Sequence, residues 1–174
     1  MTDPDIDYRG LIKALRVPPG FVAPQRLTHG DLVARALSRD DLEADVAGIN
    51  ASVEIIRATR GGGWPERPVT EEEDYVDLVW HELEHRESYS FSYALYEHDD
   101  RYVGCCYLYP LGRRTPLSAA LLDRDVDVSW WVTSEASDRG LYSEVYRALQ
   151  RWVVEDFPFS SPHWSNIEVP DPGS

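Results

Sequence analysis

The chain has 174 residues, with 17 basic against 31 acidic side chains, a formal charge of −14, and 43% apolar residues including six Trp and ten Tyr. That length is one domain, with room for a core that needs no disulfide or metal to staple it. The acidity opposes phosphate backbones and anionic lipid, so nucleic acid and membrane surfaces are excluded as main partners, and the aromatic content excludes a disordered acidic tail.

Residues 1–24 carry Pro4, Pro18, Pro19, Gly20 and Pro24 and read as an arm with one short helical turn around Leu11 to Val17, ahead of a domain over 25–174. MTDPDIDYRG is acidic where a leader is basic, and no apolar run is long enough to span a bilayer. Cys105 and Cys106 are neighbours in a strand-like run and point to opposite faces, so there is no disulfide framework and the expected location is cytoplasmic.

A short strand is predicted near Arg26 to Thr28. Two helical pieces are expected next, one after His29 and Gly30, the other capped by Ser38 or Asp40. RGGGWPERP is a loop by composition. Thr70 and Glu73 have the capping-box spacing and open a helix over 71–87, on which Tyr75, Val76, Val79, Trp80 and Leu83 form one apolar stripe. FSYALYE and RYVGCCYLYPL flank HDD as a β-hairpin, and VDVSWWV is a further strand. Ser134 or Ser137 precedes a helix over 140–155 whose apolar side is Leu141, Val145, Ala148, Leu149, Trp152 and Val153, ending before Pro158. The tail has room for one short strand. This order predicts a single α+β domain with a central, mostly antiparallel mixed sheet flanked by helices.

HELEH at His81 to His85 has the H-E-x-x-H spacing of zinc peptidases, in which two His one turn apart bind the metal and the Glu serves as general base. The predicted stripe puts both His about 170° to 210° away from the core, towards solvent. No third ligand follows at the usual spacings. The expectation is no metal, with a solvated charged face as the ordinary reading and zinc hydrolysis as the outlying one.

VDVSWWVTSEASDRGLYSEVYRAL, residues 126–149, resembles the GNAT acyltransferase superfamily, in particular the branch that acetylates protein N-termini. Asp127 stands where that branch has Glu, Ser129 where it has Gly, Trp131 at its Trp and Gly140 at its second glycine, and Glu144, Arg147, Ala148 and Leu149 keep the helix pattern. The QRLT strand, Trp64–Pro65 and GCCYLYP extend the resemblance over about residues 25–160.

The resemblance implies a GNAT-like fold and N-acyl transfer, acetyl-CoA being the co-substrate and a cationic small-molecule or peptide amine the acceptor. It also implies that the strand at Trp131, Val132 and Thr133 offers backbone groups to pantetheine. Arg139, Gly140, Leu141 and Ser143 would then hold the pyrophosphate at a helix N-terminus. Two departures stand out: Glu135 and Asp138 occupy the pyrophosphate turn, and the last sixteen residues contain no counterpart of the superfamily's thiolate-protonating Tyr.

Each catalytic candidate carries a structural alternative. Asp127 is a base acting through water or a strand-edge carboxylate paired to an Arg. Tyr142 is the proton donor to the thiolate or a half-buried packing residue. One of Trp130 and Trp131 is core and the other lines a cleft. Three functions follow: an acyltransferase, a relative that binds a ligand or partner without turnover, and the zinc hydrolase. The aromatic content is compatible with a homodimer.

Overall fold

The computed structural model describes residues 13–98 and 100–171. The first twelve residues of the expected arm lie outside the described residues. Residues 14–17 take no helical form; Leu15 is buried, and its N–H donates to the Tyr89 carbonyl at 3.0 Å.

Six strands form one sheet in chain order: β1 (Arg26–His29), β2 (Leu32–Ala36), β3 (Phe91–Glu97), β4 (Tyr102–Tyr109), β5 (Val126–Val132) and β6 (Pro162–Trp164). All neighbours are antiparallel except β5 and β6, which run parallel. The chain is therefore a single α+β unit with a mixed, mostly antiparallel sheet. β2 replaces the first of the two expected helical pieces. Gly30, at φ +56°, opens a two-residue turn that aligns His29 with Leu32, and LVARA then joins the sheet. A helical period cannot be told from a strand over so few residues when the neighbour that pairs with it lies some sixty positions away.

Helices α1 (Leu42–Asn50), α2 (Val53–Thr59) and α3 (Glu71–Arg86) cover one face of the sheet. There Ile49, Ile56 and Leu78 pack with Ala94, Cys105, Tyr107 and Trp131. The short α4 (Ser134–Asp138) leads into α5 (Leu141–Glu155), which covers the other face. Val145, Ala148, Leu149, Trp152 and Val153 of its predicted apolar side pack there with Val128, Trp130, Tyr93 and Phe157. The capping box is formed as expected: Thr70 Oγ1 accepts from the Glu73 N–H, and the Glu73 carboxylate accepts from the Thr70 N–H. Among the described residues no helix is long and apolar enough to cross a membrane.

α3 is turned the other way from its predicted stripe. Trp80 is 58% exposed, Val76 52% and Tyr75 44%, whereas Asp74, Leu78, His81 and His85 are buried. The expectation that His81 and His85 look to solvent is thus corrected. The buried set keeps helical spacing, and its imidazoles pack as aromatic rings. His85 stands edge-on to Phe91 and Tyr93 with centroids 5.3 and 5.4 Å away, and His81 lies 5.8 Å from Tyr107. Burial holds His85 in its neutral form, its pKa lowered to about 4.

Candidate functional site

The site is organised around the C-terminal half of β5. β4 approaches it so closely that a Cβ on Gly104 would lie 2.1 Å from the Trp131 carbonyl oxygen, which only glycine avoids. The Thr133 N–H donates to the Val103 carbonyl at 2.8 Å, so odd-numbered amides of this stretch face β4 and even-numbered ones face the outer edge. β6 covers that edge only as far as Val128, whose carbonyl accepts from the Ser165 N–H at 2.9 Å. One step further the Asn166 side chain takes over: Oδ1 accepts from the Trp130 N–H at 3.1 Å and Nδ2 donates to the Trp130 carbonyl at 2.9 Å. The chain then turns towards α2, where the Glu168 N–H donates to the Thr59 carbonyl at 3.1 Å. By parity, the N–H and C=O of Val132 lie on the outer edge beyond this cover.

Val132 runs straight into the turn before α5. Thr133 caps α4 by accepting from the Ala136 N–H at 3.1 Å. Gly140, at φ +82°, is the N-cap of α5, and no side chain caps that helix. The first-turn amides, at Leu141, Tyr142 and Ser143, lie at the positive end of the helix dipole, where the intrahelical ladder supplies no acceptor. Leu141 and Ser143 are half-buried. Arg139 is already engaged: it binds Glu97 through two nitrogens at 2.9 and 2.7 Å and Glu135 at 2.8 Å. Glu135 and Asp138 are exposed beside it.

Both Trp130 and Trp131 are fully buried, so neither ring lines a cleft and the expected division between them does not hold. Trp131 gives its indole N–H to the Tyr107 hydroxyl at 2.9 Å, which leaves only its backbone near the edge. The Tyr142 ring lies 5.2 Å from that of Trp130. Its hydroxyl donates to the Glu168 carbonyl at 2.6 Å and accepts from Asn166 Nδ2 at 2.7 Å, which sets it beside the covered edge. Burial raises its pKa to about 12, against the Asn166 and Thr59 hydrogen bonds.

Asp127 shares the sheet face of Ser129 and Trp131, opposite to Trp130. It is 1% exposed, and neither of its carboxylate oxygens has a hydrogen-bond partner. The nearby Arg114 senses its charge but spends its own N–H groups on Ser165 Oγ at 3.1 Å and the Arg60 carbonyl. The structure therefore brings Trp131, Val132, Thr133, Arg139, Gly140, Leu141, Tyr142 and Ser143 to one corner and leaves Asp127 apart from it, near the start of β5.

Sequence reasoning passed over Asn166, Arg114 and a polar cluster behind Trp131. In that cluster Asp45 accepts from the Tyr102 hydroxyl and contacts Cys105, and Asp74 stands next to it on α3. Asp45 and Asp74 are each 4% exposed. A signal existed in Asp74, which shares a helical row with Leu78 and His81, but its charge masks it.

HELEH does not assemble a metal centre. His81 Nδ1 sits 3.0 Å from Ser92 Oγ and its Nε2 sits 3.3 Å from Asp77, while His85 is wedged between Phe91 and Tyr93. Among the described residues no three His, Cys, Asp or Glu side chains are grouped as a metal requires.

Comparison with known proteins places this geometry. No curated protein matches the chain by sequence. Among solved structures, a putative ribosomal-protein-serine acetyltransferase from Vibrio cholerae is similar with a TM-score of 0.58 at 13% identity, covering 78% of this chain and 70% of that one. The acetyltransferase from Salmonella typhimurium described as modifying the N-terminal serine of the ribosomal protein L7/L12 gives 0.53 at 13%, covering 74% and 68%. A ribosomal L7/L12 alpha-N-protein acetyltransferase in complex with coenzyme A gives 0.52 at 14%, covering 79% and 71%. These likenesses concern the fold. A family model described as "Acetyltransferase (GNAT) domain" matches residues 31–170, most of the chain, and the protein belongs to the GNAT acetyltransferase family.

Proposed function

We propose that this protein transfers an acyl group, acetyl in the first instance, from a CoA thioester to an amine. The observation that carries the proposal is the outer edge of β5 at Val132, a buried residue that neither β6 nor Asn166 pairs, one residue before a turn whose helix N-terminus has no side-chain cap. An extended amide-bearing arm pairs with Val132 N–H and C=O as a strand would, and its diphosphate then meets the first turn of α5. Gly140 suits that approach, since a Cβ there would meet nothing within 4 Å and its side is open. Trp131 and Thr133 contribute through the backbone. Leu141 and Ser143 contribute first-turn amides.

The reaction needs no metal. The neutral amine attacks the thioester carbonyl, the C–N bond forms as the C–S bond breaks, and the amine proton and the thiolate must both be served. Tyr142 is the candidate proton donor to the thiolate: burial keeps its hydroxyl protonated, and the proton it gives to the Glu168 carbonyl would have to turn to the thiolate. Asp127 enters only as a base acting through water, since its carboxylate is enclosed.

A second reading has its own observation. Arg139 is held by Glu97 and Glu135, so the turn presents carboxylates where a diphosphate would lie and favours a relative that binds without turnover. Calorimetric titration with acetyl-CoA and CoA, followed by a thiol-release assay with simple amines, separates the two. Cys105 and Cys106 are both fully buried, which keeps the protein's own thiols from contributing. Binding with thiol release establishes transfer. Binding without release establishes a CoA-binding relative without turnover, and no binding at millimolar concentration overturns transfer and favours a relative that binds another ligand or partner.

A further inference from the structure

The stripe of Tyr75, Val76, Val79, Trp80 and Leu83 keeps helical spacing, yet α3 turns it away from the sheet. Tyr75, Val76, Val79 and Trp80 are exposed and Leu83 is half-buried, which makes one apolar patch along the helix. Large aromatic and branched side chains gathered on one solvent-facing stripe mark an interface, Tyr and Trp most of all. The opposite face of α3 anchors the patch. Leu78, His81 and His85 are buried there and the Thr70–Glu73 box closes the first turn, so the stripe is carried by a fixed element.

The charges along the stripe select its partner. Glu72 stands seven residues before Val79 and Arg86 seven residues after it, and at 100° per residue both fall within about 20° of Val79 around the helix. Both are exposed. Among the described residues Glu72 has no hydrogen-bond or ion-pair partner, and Arg86 binds Glu87 through Nε at 3.1 Å while its terminal nitrogens stay unpaired. Glu82, beside the middle of the stripe, is already held by Arg39 at 3.0 Å. The stripe therefore has a negative end, an apolar middle and a positive end.

A face with this pattern is complementary to itself when reversed. A uniformly basic helix laid on it meets Arg86 with like charge, a uniformly acidic one meets Glu72, and a second copy laid parallel meets both. A second copy laid antiparallel about a two-fold axis at Val79 meets neither. Glu72 of each copy then lies opposite Arg86 of the other, Val76 opposite Leu83, and Val79 and Trp80 against their own counterparts. We propose that two copies of this chain associate through α3, antiparallel about a two-fold axis at Val79. The acyl-transfer reading is not needed for this. One helix pair is a small interface and each copy carries a formal charge of −14, so the dimer is weak and depends on salt to screen the two molecules, with dissociation between about 1 and 100 μM.

The test is sedimentation equilibrium of the whole protein in about 0.15 M salt, over about 1 to 500 μM. The mass is expected to rise from one chain to two and no further, because a two-fold contact closes. Glu72→Arg and Arg86→Glu should each weaken association about tenfold, and Trp80→Ser should weaken it similarly by removing the apolar middle. An equimolar mixture of Glu72→Arg and Arg86→Glu should associate as wild type does, since one copy is then positive at both ends of the stripe and the other negative. Impaired folding does not reproduce that rescue, because the mixture contains the same two proteins as the separate samples. A single chain mass at the highest concentration, growth beyond two chains, or a mixture no stronger than either variant alone would overturn the proposal.

Discussion

Asn166 caps Trp130 from the side: one side-chain amide satisfies both the N–H and the C=O of a residue on the outer edge of β5, at 3.1 and 2.9 Å. Asn166 is 7% exposed and Trp130 fully buried, so this is a buried pair of hydrogen bonds standing where a strand partner would otherwise continue. Neither β6 nor Asn166 pairs the next position on this edge, the buried Val132.

That boundary is measurable. Acetyl-CoA at saturating concentration is expected to slow hydrogen exchange at the Val132 amide and leave Trp130 unchanged. Protection appearing at Trp130 instead would mean that Asn166 is displaced and the arm lies deeper. Asn166→Ala should cost about 1–3 kcal/mol in urea unfolding, because it leaves two buried backbone groups without partners.

Gly140 separates backbone strain from ligand contact. At φ +82° any side chain is strained, so Gly140→Ala should lose about 1–2 kcal/mol of stability with little change in CoA affinity, its Cβ meeting open space. Gly140→Glu should lose a similar amount of stability and at least about tenfold in CoA affinity, through a carboxylate set against the diphosphate. Equal CoA affinity in the two variants would move the phosphates elsewhere.

The orientation of α3 is tested by two neighbours. Leu78→Ala, at a fully buried position, should cost about 2–5 kcal/mol, whereas Trp80→Ser, at a position 58% exposed, should stay within about 0.5 kcal/mol. The ranking reverses if the apolar stripe faces the sheet. Chemical denaturation of the two variants decides it.

His85 and Asp74 act on stability in opposite directions with pH. His85 is about 4 in the fold against 6.5 unfolded, so the unfolded chain binds the extra proton and the fold loses stability as pH falls from 6.5 to 4, on the order of 3 kcal/mol in all. Asp74 is raised to about 8 from 3.8, so the fold holds the extra proton and stability is lost as pH rises through that window. Relative to wild type, His85→Leu should gain in stability as pH falls from 6.5 to 4. Asp74→Asn should gain as pH rises from 4 to 8. Denaturant midpoints across pH 4 to 8 check both, and parallel profiles for variant and wild type would refute either assignment.

Much of the architecture was legible because it is written in local periods and caps. The Thr70–Glu73 box, the antiparallel pairing of β3 with β4, VDVSWWV and the α5 stripe all depend on residues a few positions apart, and all are found as read. The motif over 126–149 pointed to the GNAT family. β2 was lost to a helical reading because five residues carry too little period to outvote it. α3 was turned round because a hydrophobicity count scores His81, His85 and Asp74 as surface residues.

What the chain determined by itself is therefore its class and its family. Which side of α3 faces the sheet, that Asn166 rather than a longer β6 covers Trp130, that Arg139 is spent on Glu97, and that Asp74 lies buried beside Asp45 were decided only by tertiary structure. The physical reason is common to all four. Each is a polar group whose preference depends on what it meets across the fold: a histidine belongs inside when Ser92, Phe91 and Tyr93 receive it, and a carboxylate or guanidinium is free or spent according to a partner distant in sequence.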